Sequence, residues 1–386
     1  NDDILDEDGN TSYYPYQTLY SIGINNALEA GAYFSTLANI NLIWESQVSS
    51  DLALEFTIFD KLSGNLEWFR KDSRDLLFPV SIPASTGVTS QIRNIGKVRN
   101  EGFEFGLDYQ VLRDRDWRVS VGVNGTFLSN KIVTLPEDNR ENGIISGSKK
   151  LFEGKSMYEF WLRQWYGVDP ATGNGLYYLD TEVYNQADEA GKATIDNTIV
   201  TIDGERLTNA YNYAKYDYSG RSIPSLYGGF NLNVGYKGFE LSSVFSYAVG
   251  AKVLDNTYAI LMGTGSYGEA MHVDVKNAWK NPGDITEVPR LDNNTVHSTN
   301  IGQAYSTRWL VNGDYLNLRS VTLSYDLPRN IVRNIDIENM RLYLSGENLF
   351  MIKARNGLNP QGNYSGITYH EYMPARIFTF GLNLTF

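Results

Sequence analysis

Arg376-Ile377-Phe378-Thr379-Phe380-Gly381-Leu382-Asn383-Leu384-Thr385-Phe386 closes the chain, and along it Phe378, Phe380, Leu382, Leu384 and Phe386 alternate with Thr379, Gly381, Asn383 and Thr385. Successive side chains of a strand point to opposite faces, so one face here is wholly apolar and the other small or polar. The unbroken period of two predicts a β-strand.

The same period recurs upstream. Leu52, Leu54, Phe56 and Ile58 form one set, Leu62, Leu66 and Trp68 the next, with Asp60-Lys61 between them. Phe103, Phe105, Leu107, Tyr109 and Val111 alternate with Glu104, Gly106, Asp108 and Gln110, which puts two carboxylates and an amide on a face that a soluble core would reject. Trp117, Val119, Val121 and Val123 follow the connection 113–116 and read as the second strand of a hairpin. Phe230, Leu232, Val234 and Tyr236 pair with Phe239, Leu241, Ser243, Phe245 and Tyr247 across Lys237-Gly238. From Leu316 to Leu327 the phase slips between Leu318 and Val321, predicting a β-bulge or a strand that leaves the bilayer partway. Met340, Leu342 and Leu344 alternate ahead of an interruption at Gly346-Glu347-Asn348, and with the terminal segment nine strands are expected.

Their connections alternate in length. One β-barrel domain over residues 1–386 is expected, with long outer loops at about 1–51, 73–97, 132–224, 251–307 and 353–375 and short turns at about 60–61, 113–116, 237–238 and 328–339. Outer-membrane barrels show this asymmetry, with short periplasmic turns, extracellular loops and a C-terminus in the periplasm. Trp68, Phe69, Tyr109, Trp117, Tyr236 and Tyr325 fall near strand ends, where amphipathic rings favour the bilayer interface. A secreted β-sandwich adhesin would share the alternation, its apolar faces meeting a second sheet. Polar inner faces on strand after strand and strictly alternating connections favour the barrel.

Composition agrees. Tyr occurs 27 times and Gly 35 times while hydrophobic residues reach only 42%, a profile of aromatic-rich strands rather than packed helices. No apolar run is long enough for a transmembrane helix, a criterion that leaves strand-built barrels untouched. The absence of cysteine removes disulfides, thiolate metal sites and cysteine nucleophiles. A net charge of -12 without a basic stripe argues against nucleic acid as a partner. The first residues, Asn1-Asp2-Asp3-Ile4, carry no signal-peptide pattern, from which a start inside a longer protein is expected.

Catalytic and cofactor signals are weak. Gly154-Lys155-Ser156 resembles the end of a phosphate-binding loop, but the nearest upstream glycine, Gly147, is separated from Gly154 by six intervening residues where the motif has four. The acidic run Asp2 to Asp8 fails as a calcium loop, because setting Gly9 at the sixth position puts Ile4 first and Pro15 twelfth. His272, His297 and His370 fall in outer loops without metal or triad spacing, and no carboxylate pair is singled out for catalysis. No enzyme activity, metal or cofactor is expected. Binding has a better candidate: Trp161, Trp165, Tyr166, Tyr177 and Tyr178 cluster in the 132–224 connection, where flat rings stack on a sugar or peptide, although the same rings also serve ordinary loop packing.

Asn94 to Glu104, Gly167-Val168-Asp169-Pro170, Leu344 to Phe350 and the closing Arg376 to Phe386 together resemble the SusC/RagA-like TonB-dependent outer-membrane transporters of Bacteroidetes. Asn94-Ile95-Gly96-Lys97-Val98-Arg99-Asn100-Glu101-Gly102-Phe103-Glu104 is similar to that family's N-x-G-x-x-x-N-x-G-x-E stretch. Asn1 to Ile4, Trp44-Glu45, Leu62 to Lys71, Asp75-Leu76-Leu77, Gly167-Val168-Asp169-Pro170, Thr172-Gly173, Pro224 with Tyr227 to Phe230, Tyr315 to Arg319, Leu344 to Phe350 and the closing strand follow in the family's order. One departure is the missing acidic D-x-N-x-D-G stretch, whose place is taken by Thr181 to Gly220. The resemblance implies a transmembrane antiparallel barrel of about 22 strands, closed by a plug, of which nine lie here. It also implies import of oligomeric nutrients, with a SusD-like surface lipoprotein as lid and TonB acting through the plug region; glycan and peptide importers share these landmarks, and the aromatic loop residues favour glycan over peptide. The remaining strands and plug of the same transporter, and outer-membrane lipid, complete the expected partners. A passive porin-type channel is the alternative within the same membrane class.

Overall fold

The computed structural model describes residues 16–26, 29–94, 96–263, 268, 270–291, 306–332 and 337–386. Nine strands form one antiparallel sheet: β1 (Ser46–Ile58), β2 (Leu62–Arg74), β3 (Lys97–Arg113), β4 (Trp117–Thr134), β5 (Leu226–Tyr236), β6 (Phe239–Val249), β7 (Tyr315–Asp326), β8 (Asn339–Ile352) and β9 (Ile377–Thr385). Each pairs only with its neighbours in sequence, so the sheet is an up-and-down meander with β1 and β9 at its edges, and it does not close on itself. All nine strands read from the alternation are present.

The register keeps one face apolar across the whole sheet. Leu54 stands opposite Leu66 and Leu66 opposite Phe105, while Val121 faces Leu232 and Leu344 faces Phe380. Leu52, Leu54, Phe378 and Phe380 are each at least 60% exposed, so no second sheet among the described residues covers this face. The other face is polar: Ser242 Oγ donates to Asn233 Oδ1 at 2.7 Å and Asn233 Nδ2 to Asn231 Oδ1 at 3.1 Å. Near the turns, Arg341 on this polar face reaches Asp326 at 2.7 Å and Glu240 at 3.2 Å.

Rings bound the apolar face at both ends. Trp117, Tyr236, Phe239 and Tyr325 stand in one row beside the short turns, with ring centroids 4.4 Å apart for Trp117–Tyr236 and 4.3 Å for Phe239–Tyr325. Trp68, Phe103 and Phe127 form a second row toward the long connections. Ten residues of β4 separate the two rows, roughly 33 Å of strand, and a tilt of about 40° reduces this to about 25 Å, the height of a bilayer-facing band.

The phase slip predicted between Leu318 and Val321 is a bulge at Arg319. Leu318 and Ser320 pair with Phe245 and Val244 on β6 and with Phe350 and Glu347 on β8, which leaves Arg319 outside the ladder. Asn348 opposite takes φ 51°, so β8 runs on through the expected Gly346-Glu347-Asn348 interruption to Ile352. The bulge keeps Leu316, Leu318, Val321 and Leu323 on one face.

Turns and strand ends differ slightly from expectation. The first turn occupies Phe59 to Lys61, with Phe59 and Asp60 at φ 52° and 53°, the two positive values of a hairpin whose twist matches its strands. β1 begins at Ser46 rather than Leu52, and β4 continues to Thr134, because backbone pairing extends into polar residues that carry no hydropathy signal. The stretches expected as long loops are also built: hairpins Leu19–Asn26 with Glu29–Thr36 and Leu77–Ser81 with Ser90–Asn94, and a larger assembly from the later connections.

The asparagine-glycine motif entering β3 is structural. Gly96 has φ +93°, and a Cβ there would lie 2.1 Å from the Thr134 carbonyl oxygen; at Gly102 it would meet the Phe127 carbonyl oxygen at 2.1 Å and the Phe69 ring at 2.7 Å. Asn94 Nδ2 donates to the carbonyls of Asp75 at 2.5 Å and Ile43 at 2.9 Å, tying the strand start to its neighbours.

Candidate functional site

Three long connections fold onto one another at the end of the sheet away from the turns. The segment between β4 and β5 makes two small sheets, one ordered 216–221, 159–163, 149–151, 144–146 and the other 165–168, 175–178, 205–208, 199–202. Alternation in Glu159–Arg163 sends Phe160 and Leu162, both fully buried, into a core with Leu254, Ala259, Met262, Val275 and Trp309 from the β6–β7 connection. The β8–β9 connection joins through Leu254 N to Gly366 O at 2.7 Å and Thr368 N to Leu254 O at 3.1 Å. The turn at Asp169 to Gly173 docks likewise, Trp279 Nε1 donating to Pro170 O at 2.9 Å.

The five candidate aromatics do not share one surface. Trp161 stands on the opposite face from Phe160 and Leu162, with Tyr218 at 4.8 Å and Tyr216 stacked at 6.1 Å. Lys150 Nζ lies 4.3 Å over the Trp161 ring, Lys155 Nζ 4.7 Å over Tyr218, and the Arg163 guanidinium 4.5 Å over Tyr211 and 4.7 Å over Tyr216. This half-exposed face of rings and cations is the candidate site. Tyr211, Tyr216, Tyr218, Arg163 and Lys150 were not read from sequence; Tyr216-Asp217-Tyr218 carries the alternating signal that points to part of it.

Trp165 and Tyr177 pair across the second small sheet with rings 5.1 Å apart, and Tyr177 is fully buried, so its ring is part of the loop core. Burial pushes the Tyr177 phenol up to about 12 and pulls the Arg308 guanidinium, which lies 4.8 Å over Trp165, down to about 10. Trp165 N donates to Thr307 Oγ1 at 2.9 Å, clamping the two connections. Tyr166 and Tyr178 form a separate edge-to-face pair at 5.6 Å, with Tyr178 exposed.

The remaining sequence candidates resolve into structure. Gly154-Lys155-Ser156 is a turn zipped to β4: Ile132 N donates to Lys155 O at 2.8 Å and Ser156 Oγ to Asn130 Oδ1 at 2.8 Å. Helices Thr181–Gln186 and Glu189–Asp196, capped by Asp180 and Asp188, occupy the place of the missing acidic stretch. His370 N donates to Thr257 Oγ1 at 2.9 Å, and His272 lines a cleft of about 110 Å³ with Asp255, Tyr258, Arg355, Thr368 and Glu371. Within that cleft Asp255 is buried and takes hydrogen bonds from Arg355 and from Thr368 Oγ1, so its charge is already balanced. His297 and the run Asp2 to Asp8 lie outside the described residues. Among the described residues, no three His, Asp or Glu side chains converge to hold a metal.

The family model for the TonB dependent receptor-like β-barrel matches residues 9–232, more than half the chain. A TonB-dependent receptor of Formosa agariphila is 28% identical over 403 residues, covering 98% of the chain and 38% of the relative. The TonB-dependent receptor SusC of Bacteroides thetaiotaomicron is 25% identical over 352 residues, 90% of the chain and 32% of SusC. The solved RagAB peptide transporter superposes over 97% of the chain with a TM-score of 0.77 at 23% identity, which supports the fold, and 39% of that chain is covered. The chain thus spans well under half the length of these relatives.

Proposed function

Because the chain belongs to the TonB-dependent receptor-like β-barrel family, we propose that it forms part of the wall and outer rim of an energised outer-membrane importer of oligomeric nutrients. The observation that carries this reading is the pairing of a lipid-width apolar face with a polar opposite face and an ordered loop assembly at one end only. Edge strands β1 and β9 have no partner strand among the described residues, and unpaired backbone groups are costly in lipid. On this reading they pair with the remaining strands of the same barrel, TonB acts through its plug region, and the loops face outward.

The rim favours a protein lid and a polar cargo. Met271, Val273, Ile285, Tyr364 and Tyr372 are all more than half exposed on the β6–β7 and β8–β9 connections, large apolar side chains available to a SusD-like lipoprotein. Trp161 with Tyr216 and Tyr218 offers flat rings to a sugar, and the cations over those rings favour acidic groups, so an acidic glycan is the proposed cargo. Replacing Trp161 by Ala, with the lid present, should raise the half-saturating concentration of an acidic oligosaccharide several-fold; uptake of peptides but not glycans would overturn the cargo assignment. The chain's lack of cysteine permits a topology test with single substitutions: Thr286→Cys should react with an impermeant maleimide on intact cells and Arg115→Cys should not, and the reverse pattern would invert the proposed orientation.

A further inference from the structure

Just beyond the ring row of Trp68, Phe103 and Phe127, the lipid-facing side of β2, β3 and β4 changes character. The next positions on that side are Arg70 and Asp72 on β2, Glu101 and Arg99 on β3, and Ser129 and Lys131 on β4, with Arg74 and Lys97 beyond them. Three cations converge on the Asp72 carboxylate: Arg99 Nε at 2.7 Å, Lys97 Nζ at 2.7 Å and Arg70 Nη2 at 3.2 Å. Asp72 is buried beneath them, while the three cations keep part of their surface open and Arg74 and Lys131 are exposed. Five cations against Asp72 and Glu101 leave an excess of three positive charges, on a chain whose net charge is -12. On the neighbouring strands the ladder stops short of this height, Val249 of β6 falling level with Phe127 and the Leu316–Ile352 pair of β7 and β8 one step nearer the turns, so the patch belongs to β2, β3 and β4.

A carboxylate ringed by more cations than it neutralises stores repulsion that a further anion relieves. The height of the patch says which anion is within reach: it runs from Arg70, two residues above the rings, through Arg99 and Lys131 at four to Lys97 at six, about 7 to 20 Å along the tilted strands, a span that starts where headgroup phosphates lie just outside the hydrocarbon. Guanidinium forks match phosphate oxygens in pairs, and Lys97 and Lys131 add point charges. We propose that Arg70, Arg74, Lys97, Arg99 and Lys131 form a docking site for the phosphate of an anionic lipid in the outer leaflet, a site that anchors this sector of the barrel. The assignment rests on the reading of the sheet as a bilayer wall with its loops outward.

The test uses the whole protein in dodecyl maltoside, titrated with phosphorylated lipid A, with the same lipid after phosphatase treatment, and with inorganic phosphate, with bound lipid read by native mass spectrometry. Phosphorylated lipid should bind about tenfold more tightly than its phosphate-free form, and the difference should shrink as salt rises. Arg74→Gln combined with Lys131→Gln, which leaves the Asp72 cluster intact, should remove most of that preference. Equal binding of the phosphate-free lipid, full displacement by equimolar inorganic phosphate, or an unchanged preference in the double variant would each overturn the site. Nutrient uptake by cells carrying the double variant separates the two readings: retained uptake with lost lipid preference supports both, whereas failed lipid binding with retained uptake removes only the lipid site.

Discussion

Leu162 in Glu159–Arg163 and Leu232 in β5 are both apolar side chains on alternating strands, yet their surroundings differ. Leu162 is fully buried among residues from two connections, whereas Leu232 stays half-exposed on a face that no other element among the described residues covers. The first packs against protein and the second against lipid. Stability in the loop assembly therefore depends on shape, and in the sheet it depends on which side of each strand is apolar.

Substitutions that strike one region and spare the other sharpen this contrast. The largest expected effect is that of Leu162→Ala, a loss of about 2–5 kcal/mol through the cavity it leaves. Limited proteolysis should then open the loops while the sheet keeps its heat-modifiable gel migration; a lost sheet signal would break the distinction. Leu232→Arg should act the other way, costing about 2–4 kcal/mol of bilayer folding because it sets a charge near the middle of the lipid-facing band. Denaturant titration in liposomes checks it, with Asn231→Asp on the polar face as the near-neutral companion. Gly102→Ala, whose added methyl meets the Phe127 carbonyl and the Phe69 ring, should cost about 1–3 kcal/mol in the same titration.

Smaller effects belong to the loops. Asp180 accepts from Glu182 N at 3.0 Å and Val183 N at 3.1 Å, so Asp180→Ala should lower the protection of Thr181–Gln186 in hydrogen exchange by about 1 kcal/mol. Lys149 lies against the rings of Phe160 and Tyr158, and burial lowers its amine from 10.5 to about 8. The folded loops bind fewer protons than the unfolded ones between those values, so their stability should rise with pH across that window and stay flat below it. Protease resistance at pH 7 and pH 9.5 measures the rise, and Lys149→Met should abolish it.

What the sequence disclosed follows from the same contrast. A period of two is a one-dimensional signal, so all nine sheet strands, the bulge beside Leu318 and the Lys237-Gly238 turn were legible. The loop assembly depends on contacts between distant residues, such as Trp165 with Thr307 and Phe160 with Leu254, and no local pattern announces those. Hence the aromatic cluster mixed a core ring, Tyr177, with a half-exposed one, Trp161. The N-x-G-x-x-x-N-x-G-x-E stretch was recognisable as a pattern, but its reason is steric: a carbonyl within 2.1 Å of any Cβ added at Gly96 or Gly102.

The bulge at Arg319 reaches beyond its own strand. Between the same paired rows β6 has no extra residue, β7 has one and β8 has two, Asn348 and Leu349, so the stagger grows from strand to strand. In a closed barrel such steps add to the shear, which together with strand number fixes the radius and the tilt. On the proposed reading, one arginine that pairs with nothing in the ladder thus helps to set the circumference of the closed barrel, and deleting it should register as a changed single-channel conductance of the unplugged barrel.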